Sequence, residues 1–309
     1  MNILISINKA YLDAAEVMLT SLANKTNDKI DVYLLNKDIS QEDIVKFSNK
    51  LEKRNIFLNT VSVTNSFLDE LPTPYPFSKE IYYRLVAQFV LPKELDRILW
   101  LDSDILILND ITNFYEQDFE GNYIVACPDA NYDTPGITKI KNNIGLTAGH
   151  IYFNSGVLLL NLDALRKNTT LNDIKNCAPQ LKDKFKYPDQ DILNVLYHGK
   201  VKYADHTIYN YQAFHSKKNI CLDNVAILHY VGHRKPWQYK FRGTHSKYWW
   251  KEARKLKGFF FKKIRWAILS FCYKIFDKFL RRKKPAVITE EEISNIYEKE
   301  NFSLDFSDG

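Results

Sequence analysis

"RILWLDSDILILND", residues 97–110, is the stretch on which the fold turns. Ile98-Leu99-Trp100-Leu101 are four apolar residues in succession, the mark of a strand buried on both faces, as in a parallel sheet covered by helices. The run delivers Asp102 and Asp104, one residue apart. On an extended segment, side chains two apart point the same way. Two carboxylates aimed at one point repel each other unless a cation lies between them. Taken alone, the pair has two readings: a metal site, or a polar strand end where aspartates serve as turn and capping residues.

Upstream, strands and helices alternate. "NILISI" (2–7), "IDVYLLN" (30–36) and "FLNTVSV" (57–63) read as strands. "DAAEVMLTSLANK" (13–25) and "SQEDIVKFSNKLEKRN" (40–55) read as helices, the second with Ser40 as N-cap and Asp43 in its first turn. After "PTPYP", Ser78 is placed to cap a helix with Ile81, Leu85 and Phe89 on one side, closed by Pro92. This alternation predicts an α/β fold with a largely parallel sheet. Ligands in such sheets gather beyond the carboxyl ends of the strands, where Asp102 and Asp104 lie. Downstream, "GNYIVACPD" (121–129) and "YFNSGVLLLNL" (152–162) read as strands separated by a long loop, 130–150. "PDQDILNVLYHG" (188–199) opens a helix, and "NVAILHYVG" (224–232) is a late strand running into "HRKPW".

The chain has 309 residues, 45% of them hydrophobic, enough for one large domain or two small ones. Its net charge of +6 is unevenly spread. Residues 250–285 carry 13 Lys and Arg against two acids, and residues 286–309 carry seven acids and one Lys. That leaves residues 1–249 near neutral, which argues against a nucleic-acid-binding surface spread over the fold. The four cysteines are scattered without a CxxC, as expected for thiols of a reducing compartment. The N-terminus lacks a secretory pattern, and no uncharged apolar stretch approaches the ~20 residues of a spanning helix. The expected location is cytoplasmic.

A hard divalent cation takes oxygen ligands, and manganese also accepts an imidazole. "AILHYVGHRKPW" offers His229 after an apolar strand, which in isolation reads equally as a core histidine. With this block in view, five blocks in order, "YYRL" (82–85), "WLDSDILILNDI" (100–111), "YFNSGVLLLNL", "PDQDILN" (188–194) and "HYVGHRKPW" (229–237), resemble the retaining glycosyltransferases of family 8. That family includes lipopolysaccharide galactosyl- and glucosyltransferases and glycogenin, and the resemblance covers roughly residues 1–250. It implies a GT-A type α/β fold: a Rossmann-like, mostly parallel mixed sheet flanked by helices, with a C-terminal helical appendage.

The resemblance further implies that Asp102, Asp104 and His229 hold Mn²⁺, with Mg²⁺ as the alternative, against the diphosphate of a UDP-hexose, galactose or glucose. Lys235 and the backbone at Gly232 would contact the phosphates, with Ser103 beside them. Arg84 would orient the donor, against its reading as an ordinary surface arginine at the edge of an apolar stripe. Asn154 and Ser155 would line the sugar pocket. Asp189 would bond sugar hydroxyls, and Gln190 and Asp191 would stabilise an oxocarbenium-like charge, an amide being a poor nucleophile; "PDQD" is equally a helix start with acids at the positive dipole end. Tyr11 would stack on uracil. The pattern is broken at Asn8, usually aspartate in the family, and at Ala10, often asparagine. A nucleotide-binding paralogue with impaired catalysis is therefore the alternative. The expected acceptor is a cell-surface glycan, glycolipid or glycoprotein.

The segment 250–285 is basic, aromatic and amphipathic. As a helix it has a polar stripe of Lys263, Ala267, Ser270, Lys274, Lys278 and Arg281 opposite Phe260, Ile264, Ile268, Phe271, Ile275 and Phe279. It fits the surface of an anionic bilayer, at the inner membrane face. Packing on the domain and docking of a protein partner, as a membrane-associated adaptor, are the other readings. The expected division is a catalytic domain 1–249, this segment, and an acidic tail 286–309 in which Thr289 opens a capping-box helix.

Overall fold

The computed structural model describes residues 1–63, 68, 70, 71, 79–181, 184–215, 221–241 and 243–282. The expected caps at Ser78 and Thr289, and the whole acidic tail, lie outside the described residues.

Strands β1 (Asn2–Ser6), β2 (Ile30–Asn36) and β3 (Ile56–Ser62) alternate with helices α1 (Leu12–Ala23) and α2 (Gln41–Glu52). The side chain of Ser40 accepts from the Asp43 amide, the N-cap that the sequence predicts. β4 (Arg97–Leu101) and β5 (Ile105–Ile107) flank the two aspartates. β6 (Ile124–Pro128), α3 (Pro135–Asn143), β7 (Phe153–Asn161), α4 (Leu162–Asn168), α5 (Leu171–Leu181), α6 (Pro188–Leu196) and β8 (Val201–Tyr203) follow. The chain continues through β9 (Tyr211–Gln212) and β10 (Ile227–His229) to α7 (Ser246–Ala253) and α8 (Phe259–Arg282).

Seven strands form one sheet in the order β3-β2-β1-β4-β7-β6-β8. All its pairs are parallel except those made by β7, which runs antiparallel to β4 and β6. A second sheet, β5-β10-β9, stands apart from it. The apolar run 98–101 is buried throughout because alternate residues feed opposite faces. Ile98 and Trp100 enter one core cluster, Leu99 and Leu101 the other. A third cluster joins the small sheet, through Leu106 and Leu228, to Val17 of α1 and to Trp249 and Trp250 of α7.

Three expectations change. Asp102 and Asp104 are not on one extended segment: they sit in a turn that carries the chain from β4 in the large sheet to β5 in the small one. The helix expected to begin at Ser78 is 3-10 over Lys79–Val86, with a single α-helical turn at Ala87–Val90. Tyr82 to Val86 are all buried there, so no one-sided stripe exists, and Phe89 points to solvent. The loop 130–150 contains α3, which Pro135 opens at its first turn. Buried Lys141 closes the return loop by donating to the carbonyls of Ala148 and His150.

Packing also runs through the expected boundary at 249–250, since Trp250, Ala253, Leu256 and Phe259 belong to the third core cluster. α8 lies on the domain along Phe259, Lys263, Trp266, Ser270 and Tyr273. Trp266 donates to the Gln238 carbonyl, and its ring leans on Trp250. The apolar stripe Phe260, Ile264, Ile268, Phe271 and Ile275 consequently faces solvent, while part of the polar stripe is turned inward.

Candidate active site

The turn after β4 and the end of β10 meet at one point. β10 pairs with β5 so that His229 stands opposite Ile105, and the Tyr230 amide donates to the Asp104 carbonyl. Backbone pairing therefore sets His229 beside the two aspartates, and one ligand atom from each of the three residues lies within 4.8 Å of the others. His229 Nε2 is 3.3 Å from Asp104 Oδ1 and 3.9 Å from Asp102 Oδ2.

Each donor atom is aimed by its neighbours. Asp102 Oδ1 accepts from Arg84 Nη2 at 2.8 Å and from Trp100 Nε1 at 2.9 Å, which turns Oδ2 toward His229. Arg84 is buried, so it is no ordinary surface arginine. Its guanidinium also donates to the carbonyls of Ile81 and Ser155, stacks over the Trp100 ring at 4.2 Å, and pairs with Asp189 at 3.3 Å. The forked head of an arginine alone can hold two carboxylates and two carbonyls at once. His229 Nδ1 lies 2.8 Å from Asn210 Oδ1. Beneath the triad runs Gly156 of β7: a Cβ there would stand 2.3 Å from His229 Cε1 and 2.9 Å from Asp102 Oδ2. Two carboxylates, an imidazole nitrogen and a floor kept clear by glycine form a donor set that fits Mn²⁺ or Mg²⁺.

Lys235 is buried and donates to Asp104 Oδ2 and to the Tyr230 carbonyl. Burial raises the Asp104 pKa, but the Lys235 ammonium and His229 outweigh it and hold the carboxyl well below the usual range. Gly232, with φ +93°, adopts a backbone that glycine alone takes easily. Ser103 is buried in the turn between the aspartates. Tyr11 stands edge-on to Trp237 with ring centroids 6.0 Å apart, and burial raises its pKa while the charges of Lys235, Asp104 and Asp102 act on it. Asn8 spends its side-chain oxygen as a cap on the Ala10 amide.

α6 presents its first turn to β7. Asp189 Oδ2 accepts from Ser155 Oγ at 2.9 Å, and burial raises its pKa against the pull of Arg84. Gln190 Oε1 accepts from Asn154 Nδ2 and from the Ser155 amide, both at 3.0 Å. Asp191 is fully buried behind them, held by the Tyr152 hydroxyl and the amides of Lys186 and Tyr187, and burial pushes its pKa up to about 6. The structure therefore brings together Arg84, Asp102, Ser103, Asp104, Asn154, Ser155, Asp189, Gln190, His229 and Lys235. Tyr11 stands close enough for the charges of Lys235, Asp104 and Asp102 to act on it, whereas Asn8 contacts Ala10 and Tyr11 and Gly232 lies in the turn between His229 and Lys235. The sequence reading passed over Trp100, Gly156 and Asn210. Trp100 and Gly156 lie inside the quoted blocks, whereas Asn210, in "IYNYQ", carries no local signal.

The chain belongs to glycosyl transferase family 8, whose model matches residues 2–240. It is similar to a putative glycosyltransferase of Haemophilus influenzae, 29% identical over 78% of this chain and 74% of that one. The lipopolysaccharide 1,2-glucosyltransferase of Escherichia coli K12 is 25% identical over 77% of this chain and 72% of its own. Among solved structures, the galactosyltransferase LgtC in complex with donor and acceptor sugar analogues superposes with a TM-score of 0.74 at 26% identity, covering 83% of this chain and 96% of that one. The fold is thus of the GT-A type. Among the described residues, no helix is long and apolar enough to cross a membrane.

Proposed function

We propose that the protein transfers a hexose, galactose or glucose, from a UDP-sugar to a cell-surface glycan, glycolipid or glycoprotein, with retention of configuration at the transferred carbon. The observation that carries this reading is the convergence of Asp102, Asp104 and His229 at the carboxyl end of β4, with Asp189 reached from the same side through Arg84. A divalent ion held by these three side chains, Mn²⁺ or Mg²⁺, would supply Lewis-acid stabilisation to the departing diphosphate. Lys235, a point charge on a flexible stem, reaches the same place and would pair with a phosphate oxygen. Tyr11 would stack on the base, and Asn8 would present its amide nitrogen to the base edge. Ser103 and the turn at Gly232 would flank the phosphates.

Asp189, Asn154 and Ser155 would hold the sugar hydroxyls. Gln190 spends its carbonyl oxygen on two donors and makes a poor nucleophile. A same-face route follows, with Asp189 and the Gln190 amide stabilising positive charge at the sugar, and Asp191, fully buried and bonded to Tyr152, adding its charge from behind. The outward stripe of α8, set among basic residues, would rest on an anionic bilayer at the inner membrane face.

The test is UDP release by the purified protein over a panel of UDP-sugars, with Mn²⁺, with Mg²⁺ and after chelation. Metal-dependent hydrolysis or transfer with a single hexose donor supports the reading. Release that ignores chelation overturns the metal-dependent mechanism, and equal binding of unrelated nucleotides without turnover overturns the reading in favour of an impaired nucleotide-binding paralogue.

A further inference from the structure

Asn210 is entirely buried at the end of a single-turn helix, outside every motif block, and both ends of its amide are used. The direction of the hydrogen bonds around it follows from donors whose identity is fixed. The Gly156 amide donates to Asn154 Oδ1 at 3.0 Å, so that atom is an oxygen. Its partner at 2.9 Å on Asn210 must then be the nitrogen Nδ2, which leaves Asn210 Oδ1 against His229. An amide oxygen only accepts, so His229 Nδ1 carries a proton, and Nε2 is the nitrogen turned toward the two aspartates.

The Ser155 amide donates to Gln190 Oε1, so Asn154 contributes its nitrogen there. The Gln190 oxygen is thus fixed on these two donors, and the Tyr152 hydroxyl beyond it donates to Asp191. From His229 through Asn210 and Asn154 to Gln190, each group donates to the next. Chains that run in one direction polarise each member in turn.

We infer that Asn210 is a positioning residue: as the link between His229 and Asn154, it holds His229 in the tautomer that directs Nε2 at Asp102 and Asp104, and it ties that choice to the orientation of Gln190. Two backbone amides of β7, at Ser155 and Gly156, set the sense of the whole chain. The inference rests on the reading of Asp102, Asp104 and His229 as metal ligands, and the test separates the two.

The test compares the full-length wild type with Asn210→Leu, Asn210→Asp and Asp104→Asn. Mn²⁺ binding is followed by calorimetry without donor, and turnover is measured separately. Leucine removes the acceptor for Nδ1–H, and Mn²⁺ should bind 10- to 100-fold more weakly. Aspartate keeps an acceptor there but cannot donate to Asn154. Asn210→Asp should therefore bind Mn²⁺ at least as well as wild type yet lose turnover, a split that a merely structural residue would not give. A nitrogen-15 spectrum of the metal-free wild type should show His229 protonated at Nδ1, which tests the chain even if the leucine variant does not fold. An Nδ1 without a proton, or Mn²⁺ affinity unchanged by leucine, or aspartate as damaging to binding as leucine, overturns the inference. Absence of Mn²⁺ binding in wild type and Asp104→Asn alike, with His229 still protonated at Nδ1, would instead remove the metal reading and leave the chain standing.

Discussion

Replacing Gly156 with alanine adds one methyl group beneath the three candidate ligands. The glycine φ lies outside the left-handed region, so alanine meets no backbone penalty and the effect is one of space alone. Its Cβ would stand 2.3 Å from His229 Cε1, where carbon atoms rest at about 3.5 Å, so something must yield by about 1.2 Å. His229 cannot simply retreat, being buried and tethered to Asn210. β7 cannot drop away either, because it is central and paired on both sides. Overpacking of this kind costs about 1–3 kcal/mol of stability. A displacement on the order of 1 Å at a ligand costs about 10²-fold in rate, most of it through metal affinity. The assay is Mn²⁺ titration of UDP release, with urea denaturation in parallel. A Gly156→Ala protein with wild-type Mn²⁺ dependence and wild-type turnover would refute the argument that this floor must stay empty.

Four further outcomes follow from the same geometry. Arg84→Ala leaves Asp189 and Asp102 without their shared cation, and stability should fall by about 3 kcal/mol in urea; a change within 0.5 kcal/mol would mean that the pairing contributes nothing. Asp104→Asn should abolish the rise in melting temperature produced by Mn²⁺, and a full shift in the variant would place the metal elsewhere. Asp191 holds its proton to about pH 6 in the folded protein, against the ordinary 3.8 of an aspartate. The folded state then binds more protons between those values, so stability should fall by about 3 kcal/mol as pH rises through them, and Asp191→Asn should flatten that slope; parallel slopes for the two proteins would reject it. Finally, Ile264→Glu with Ile268→Glu, both on the outward face of α8, should leave stability within about 0.5 kcal/mol while abolishing co-sedimentation with anionic vesicles. Retained vesicle binding would assign that face another role.

The elements that declared themselves in the sequence are those whose pattern is local. Buried strands such as 98–101, the Ser40 cap and the "PDQD" helix start depend on residues a few positions apart. Motif blocks carried most of the site for the same reason: Asp102 and Asp104 need only a short turn between them. Tertiary packing hid the rest. Residues 79–86 show an apolar spacing close to helical, but the segment is 3-10 and its residues 82–86 are buried in succession, so no single face decides its form. α3 was obscured by Gly136 and the β-branched pair Ile137-Thr138, weak helix formers that the Pro135 start and the buried Ile137 compensate. The spacing gives 250–285 two stripes, but periodicity cannot say which of them meets the domain, and in α8 Trp266 decides it through Trp250 and Gln238. Asn210 escaped because its partners lie 19 and 56 residues away.

The turn from β4 to β5 has a consequence for how the protein matures. Asp102 and Asp104 belong to the crossing between two sheets, and His229 arrives only when β10 pairs with β5. Some 125 residues separate Asp104 from His229, and bringing the ends of such a length together costs about 4 kcal/mol of chain entropy. A folding chain that has built the large sheet but not closed the small one displays two carboxylates and no imidazole. A cation held by all three side chains, as proposed, would be captured only by molecules that have completed this long-range pairing, so that a newly made chain would acquire its chemistry at the same moment as its finished shape.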